Sequence, residues 1–528
     1  MEQKRTICNP KVSRERVLNP IKCIDANKMG HIKQYPPGIE KLYLTWTPRK
    51  SRMEGINHVV FYGLQGAIQE ITENFEQYFF GRDIEEIIAE YKETAADVFG
   101  RTNPEFANNI DTAHIRNLHN LGYLPLKIKA LKEGTFTPIG VPMFTVENTL
   151  PEFFWLPSFL ESQLSSYIWA PMTAATIADK VKQTLLSYAD LTGDRTKLMT
   201  QASDFSLRGM ASPEAAMRTS GGHLLSFGAS STVQAKDYLM RYYDAKPDTL
   251  NGTLSTEHSV MCCHGEDEYN AYKFLTQNVH RSGTISIVSD TYDFWNVIDN
   301  VLPLFREEML RRDGKVVVRP DSGDPVDIIC GDPLSEDETV RKGLIERLYE
   351  IFGGTINEKG YIELSPKIGA VYADAITPER TQKICERLMD KGFATTNVNL
   401  GIGSYTYQYN TRDTFGFALK STAEIQDGEF KMIQKRPATD KDSFKKSGKG
   451  MVAAVERDGD LALIDGLTPE QEAALADINL LENFYVNGEL VKPNNFEDIR
   501  ARVASESTRV YGWQNINPQN NQYDERRF

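Results

Sequence analysis

KVVVRPDSG (residues 315–323) is a short apolar run of β-branched residues that passes without a break into Arg, Asp and Gly. Two other stretches are built the same way: TISIVSD (284–290) upstream and IGAVYAD (368–374) downstream. Apolar runs of this length that alternate with helix-period segments read as buried strands of βα units, and so as a parallel sheet or barrel. Helix starts follow at Ser212-Pro213-Glu214, at Ser335 with Glu338 spaced as a capping box, and at Thr377-Pro378-Glu379. Gly314 and Gly392 stand where helices should stop.

In parallel α/β folds the carboxyl ends of the strands carry the ligand site. Asp290, Arg319, Asp321 and Asp374 are therefore expected at one mouth, despite their separation in sequence. The flanks differ. GIEKLYLTWTPRK (38–50) and the 400s, NVNLGIGSYTYQYN (397–410), FGFALKSTAEIQ (415–426) and GEFKMIQKRP (428–437), alternate apolar and polar residues like antiparallel strands. The expected fold class is α/β: an irregular barrel-like domain over 161–394, and a second, β-rich domain over 21–160 plus 395–500, built from both chain ends. Residues 1–20 and 503–528 are polar and read as weakly ordered extensions.

With 528 residues and 40% apolar composition, the chain can bury the cores of two or three domains. Its 60 basic and 73 acidic residues give a net charge of -13, which excludes the diffuse positive field of a nonspecific nucleic-acid binder. Any anionic ligand must be gripped by local basic groups. Six cysteines (Cys8, Cys23, Cys262, Cys263, Cys330, Cys385) show no CxxC spacing and make no disulfide framework, as in a reducing cytoplasm. The polar start and the lack of any long apolar run point to a soluble protein without a membrane role.

Four clusters can carry chemistry. RPDSGDP (319–325) offers a cation, carboxylates and a glycine turn directly after a strand, which suits a phosphorylated sugar and its magnesium as well as a plain capped strand end. SDFSLRG (203–209) sets Phe205 three residues before Arg208, an aromatic face and a phosphate grip within reach of one nucleotide. GIGS (401–404) and NTRD (410–413) combine glycine N–H groups with Arg412. STEHSVMCCHG (255–265) holds His258 beside Glu257; its H-x3-C-C-H spacing does not match the usual zinc sets. As a base or nucleophile, His258 needs a carboxylate to fix its tautomer, and Asp290 is positioned to supply it.

These stretches, in the order HIKQYPPG, VVFYGLQ, VPMFTVENT, DFSLRG, TEHS, IVSDTYD, RPDSGDP, TRD and NFEDIR, resemble the type II phosphoribosyltransferases that act on nicotinamide, from about residue 20 to 500. The resemblance implies transfer of phosphoribosyl from phosphoribosyl pyrophosphate to nicotinamide, giving nicotinamide mononucleotide and pyrophosphate for NAD salvage. It also implies Mg2+, ATP as co-substrate, and a homodimer with active sites at the subunit interface. By its pattern Phe205 stacks on the pyridine and Arg319 holds the carboxamide side. Arg208, Arg412 and the Gly403-Ser404 backbone bind phosphate. His258 is the histidine phosphorylated by ATP, oriented by Asp290 with Glu257 beside it; Asp321 contacts the ribose and Asp374 lies nearby. The pattern further sets Asp25 on the base side and Arg49, Lys420 and Lys435 on the phosphate side.

Two positions depart from that pattern. Ser231, in GASSTV, replaces an aspartate that would accept from the amide and repel a carboxylate. Asn27 replaces a tyrosine that would close a stack on the ring. Ser231 keeps open a nicotinate phosphoribosyltransferase. A catalytically silent binding homologue stays open beside it, as does a carboxylate-pair glycosidase using Asp290, Asp321 and Asp374.

Overall fold

The computed structural model describes residues 12–437, 439 and 447–511, and divides the chain into two compact units, 1–172 with 411–495 and 173–410 with 496–528. The first two of the three changes of unit fall later in the chain than the expected 160 and 394, and the third, after 495, falls before the expected 500. At the first, one continuous helix, Glu161–Thr192, spans the change. At the second, Val398–Ile402 joins the parallel sheet rather than an antiparallel one. Its sequence alternates because Asn399 and the small Gly401 interrupt an otherwise apolar run.

The first unit is built on a seven-stranded antiparallel sheet, ordered Glu429–Met432, Ala418–Gln426, Ile39–Thr47, Phe144–Asn148, Leu126–Ala130, Glu482–Val486, Glu489–Leu490. Strands from both chain ends therefore pair directly, Ile39–Thr47 against Ala418–Gln426. The pairing is held by an apolar face in which the fully buried Trp46 stacks between Phe144 (5.9 Å) and Phe417 (5.4 Å). Aromatic stacking of this kind adds about 0.5–1.5 kcal/mol per pair beyond area burial.

The second unit is a seven-stranded parallel sheet, ordered Ala229–Ser230, Ala202–Asp204, Val398–Ile402, Ile368–Tyr372, Asp313–Arg319, Ser282–Val288, Leu254–Ser255. Its edge strand Ala229–Ser230 meets the segment before the opposite edge in a parallel bridge between Ala229 and Asn251, so the sheet curls on itself into an irregular barrel. The three strands read from sequence lie side by side in it, and helices connect them. Ser212 and Thr377 cap the helices Pro213–His223 and Pro378–Asp390 as expected. The Ser335 cap is corrected: Asp337 takes that place, accepting from the N–H groups of Thr339 and Val340. Gly314 is corrected as well. It lies within a strand at φ 131, against the backbone of Gly283, where a Cβ would collide.

Residues 1–11 of the expected leading extension and 512–528 of the tail lie outside the described residues. The rest is ordered: Ser13 caps a helix over Arg14–Leu18, and the chain is helical over Phe496–Tyr511, with Val503 and Ser507 buried. Among the described residues no helix is long and apolar enough to cross a membrane.

Candidate active site

The parallel register explains why carboxylates gather at one end of the curled sheet. Val288 pairs with Arg319, so Asp290 and Asp321 each sit two residues beyond paired strand ends. Asp290 Oδ2 accepts the N–H of Asp321 at 2.9 Å and the hydroxyl of Ser322, clamping the turn after the strand. Arg319, 9% exposed, lies with Nε 3.3 Å from Asp321 Oδ2, while its Nη1 donates to Ser255 Oγ at 2.6 Å. The Ser255 hydroxyl donates to the Thr256 carbonyl, so it can only accept from the guanidinium.

His258 opens the helix His258–Cys263, its side chain about half exposed. Its Nδ1 lies 3.3 Å from Thr291 Oγ1, and its Nε2 is 3.9 Å from both Asp290 Oδ1 and Asp321 Oδ2. The carboxylates face this ring as charges, and the hydrogen-bonding neighbour is Thr291. Glu257 accepts from Ser259 at 2.6 Å at the same helix start. Burial pushes the Asp321 carboxyl above its ordinary value; Arg319 and His258 oppose that, while Asp290 and Asp374 add to it. Asp290, Arg319, Asp321 and Asp374 thus share one electrostatic neighbourhood. Behind them, burial and the charges of Asp293 and Asp290 push the Glu268 carboxyl up to about 7.

In the same unit a cavity of about 320 Å3 is lined by Phe205, Ser231, Ser255, Asn251, Lys315 and Asn399, among others. Phe205 follows the strand Ala202–Asp204, and its N–H bonds the Ile402 carbonyl at 2.9 Å. Its ring packs on Gly401, where a Cβ would strike it and would come within 2.6 Å of Ala373 Cβ. Ser231 Oγ donates to the Asp204 carbonyl at 3.0 Å. Its proton is spent there, and its lone pairs remain for a ligand. The Asp204 carboxylate, fully buried, accepts from Ser206 N (2.9 Å), Ser230 Oγ (3.0 Å) and Thr232 Oγ1 (3.1 Å).

Gly209 packs directly on Ser404, with a Cβ there only 2.6 Å from Ser404 Cβ. The exposed Arg208 and the Gly403-Ser404 turn are therefore neighbours. The remaining expected residues lie in the first unit. Arg49 and Lys420 share a cavity of about 290 Å3 with Gln434 and Ser447. Arg49 Nε donates to the Gly416 carbonyl at 2.9 Å, and Lys420 pairs with Glu161 at 2.9 Å. Lys435 is exposed beside that cavity, its N–H on Ser447 Oγ at 2.9 Å. Arg412 is half exposed, 3.9 Å from Asp413. Asp25 accepts from Ser162 at 2.6 Å, and Asn27 is exposed ahead of the helix Lys28–His31 without capping it.

Sequence reasoning did not single out Ser255, Thr291 or Asp204, which contact the expected residues Arg319, His258 and Ser231. Each lies within or next to a stretch that carries an expected site residue, and that adjacency was the available signal. Among the described residues no group of three or more His, Cys, Asp or Glu side chains could hold a metal ion. The buried Oδ1 atoms of Asp290 and Asp321 have no hydrogen-bond partner.

Residues 200–482 match the model of the nicotinate phosphoribosyltransferase (NAPRTase) family, and residues 19–128 match that of the nicotinamide phosphoribosyltransferase N-terminal domain. The chain is 40% identical over 504 residues to a nicotinamide phosphoribosyltransferase of Acinetobacter baylyi, covering 93% of this chain and 98% of that one. It is 34% identical over 435 residues to one of Mycoplasma pneumoniae, covering 80% and 93%. In fold it is similar to the nicotinate-nucleotide pyrophosphorylase of Pyrococcus furiosus (TM-score 0.56, 15% identity, 96% and 99% covered). It is also similar to human nicotinic acid phosphoribosyltransferase (TM-score 0.52, 17% identity, 91% and 92% covered).

Proposed function

The chain belongs to the nicotinamide phosphoribosyltransferases within the nicotinate phosphoribosyltransferase family, and on that premise we propose that it joins nicotinamide to phosphoribosyl pyrophosphate, releasing pyrophosphate. The observation that carries the choice of base is Ser231. With its proton committed to the Asp204 carbonyl, it offers a ligand only lone pairs. A lone pair accepts from a carboxamide NH2 and gains nothing from a carboxylate. Phe205, seated on Gly401, supplies an aromatic face in the same cavity.

The pyridine nitrogen attacks the anomeric carbon as the C–O bond to pyrophosphate breaks, so no proton need be removed from the nucleophile. The protein's work is to hold the ring, align the sugar and exclude water. Arg319, locked between Ser255 and Asp321, is rigid enough to fix the base side. Arg208 and the Gly403-Ser404 turn are neighbours that suit the product's phosphate. By the family resemblance Arg49 and Lys420, which share a cavity of the first unit, are phosphate-binding residues.

The orphaned oxygens of Asp290 and Asp321 fit magnesium, which is usually held by one or two carboxylates together with substrate phosphates and water. When bound, magnesium neutralises the leaving group. His258 is assigned the phosphoryl group of ATP: the bond to ADP breaks as one forms to a ring nitrogen. Nε2, facing Asp290 and Asp321, is the nitrogen not engaged by Thr291. The working form is taken to be a cytoplasmic homodimer, in keeping with the family resemblance and the free thiols.

The test is product formation with purified protein, phosphoribosyl pyrophosphate and magnesium. Nicotinamide mononucleotide must appear with nicotinamide, and nicotinate must serve less well.

A further inference from the structure

The base-side edge of the curled sheet is only two residues long. Ala229–Ser230 pairs with Ser203 and Asp204 on one side and meets Asn251 on the other, where the Ser230 N–H bonds the Asn251 carbonyl at 3.2 Å. Two residues give few ladder bonds to fix a register, and the strand must place the next residue, Ser231, to within a fraction of an ångström for a hydrogen bond to a ligand. From inside, the Asp204 carboxylate ties Ser230 and Thr232. One fully buried side chain, His223, adds a tie to the Ala229 carbonyl.

His223 ends the helix Pro213–His223, is 0% exposed, and stacks on Phe227 at 5.1 Å. Its Nε2 lies 3.1 Å from the Ala229 carbonyl, and its Nδ1 lies 2.6 Å from the Tyr407 hydroxyl. Tyr407 closes the helix Ser404–Tyr407, which starts immediately after Gly403. Only one neutral tautomer satisfies both contacts: Nε2–H donates to Ala229, and Nδ1 accepts from the phenol. Burial pushes the imidazole pKa down and the Tyr407 pKa up, which keeps the ring neutral and the hydroxyl protonated. His223 is thus bonded at once to the segment that carries Ser231 and to the segment that carries Gly403 and Ser404.

We propose that His223, relayed by Tyr407, is a positioning residue that fixes the Ala229–Ser231 edge relative to the Gly403–Tyr407 segment, so that base affinity depends on a histidine that touches no substrate. This rests on the assignment of Ser231 to the base. It deepens that reading by adding a second layer behind the specificity residue. Loss of either hydrogen bond loosens the Ala229–Ser231 segment and leaves a buried polar atom unpaired.

The experiment is calorimetric titration of the full-length protein with nicotinamide, alongside thermal melting. Tyr407→Phe removes one hydroxyl and keeps the ring; it is expected to weaken nicotinamide binding about five- to tenfold, equivalent to about 1–1.4 kcal/mol. His223→Leu should weaken it at least as much, the double variant no further than the worse single. His223→Gln, whose amide offers one acceptor and one donor, should restore at least half of the loss on a logarithmic scale. Unchanged affinity in Tyr407→Phe overturns the proposal. Equal loss of affinity and melting temperature, not restored by glutamine, overturns it too, since that marks a merely structural role. If the wild type binds nicotinate instead, the same titrations with nicotinate decide the positioning role, and only the choice of base in the proposed activity fails.

Discussion

Ser231 Oγ and the Asp204 carbonyl oxygen lie 3.0 Å apart, and that one hydrogen bond determines what Ser231 can offer a ligand in the proposed base pocket. A free serine hydroxyl could turn to donate to a carboxylate. This one is already committed, so the pocket presents an acceptor.

Ser231→Asp replaces a neutral acceptor by a charged one. A hydrogen bond to a charged group contributes about 1.5–3 kcal/mol, so the ratio of kcat/KM for nicotinamide over nicotinate should rise about 10- to 100-fold. Steady-state assays with each base check this. A ratio that stays put would mean residue 231 does not line the base site.

Arg319→Ala removes the guanidinium held between Ser255 and Asp321. The KM for the base should rise about tenfold or more, as expected for loss of a charge-assisted contact. The KM for phosphoribosyl pyrophosphate should move far less. The opposite pattern would place Arg319 on the sugar.

Gly401→Ala puts a methyl against the Phe205 ring and 2.6 Å from Ala373 Cβ. The ring must shift, so base affinity should fall about tenfold, the equivalent of one aromatic stacking contact, while the phosphate-side Ser404 is untouched. Calorimetry with nicotinamide reads the loss directly, and undiminished affinity would remove Phe205 from the base site.

Much of this was legible because periodicity is a local property. Three adjacent strands of the parallel sheet and their carboxyl-end Asp and Arg residues followed from apolar runs that stop abruptly at polar ones. Ile39–Thr47 and Ala418–Gln426 were readable as antiparallel strands for the same reason. Val398–Ile402 was not: its direction is set by its neighbours Ala202–Asp204 and Ile368–Tyr372, the first of which lies far away in sequence. Helix starts chosen by residue type alone missed Asp337, whose carboxylate competes with Ser335 from two residues on. In the site, residue types chosen for chemistry were visible, whereas the residues that hold them were not. Ser255 acts through Arg319, 64 positions away, and His223 through Tyr407, 184 away; no local pattern marks either.

Asp179, fully buried on the helix Glu161–Thr192, accepts from Ser507 of the last described helix at 3.1 Å. Burial pushes its carboxyl from 3.8 up to about 6. The folded state therefore holds a proton that the unfolded state has lost, and stability from this group declines as pH rises from 3.8 through about 6. Asp179→Asn keeps an acceptor for Ser507 and carries no charge. Urea unfolding across that window should show a flatter pH slope in the variant, and an unchanged slope would assign the titration to another group.

His258→Ala should abolish stimulation by ATP and leave basal transfer, because the proposed base and phosphate contacts lie on other residues. Thr291→Val, which removes the hydroxyl 3.3 Å from Nδ1, should reduce that stimulation several-fold without changing the KM for nicotinamide. Parallel initial rates with and without ATP check both; ATP stimulation that survives in His258→Ala would refute the phosphohistidine role.

The most direct measurement is initial-rate product formation from phosphoribosyl pyrophosphate and magnesium with nicotinamide or nicotinate at equal concentration. Nicotinamide mononucleotide is predicted as the main product, with a higher kcat/KM for nicotinamide. A higher value for nicotinate would contradict this, and would mean that the Ser231 hydroxyl turns away from Asp204 when a base binds.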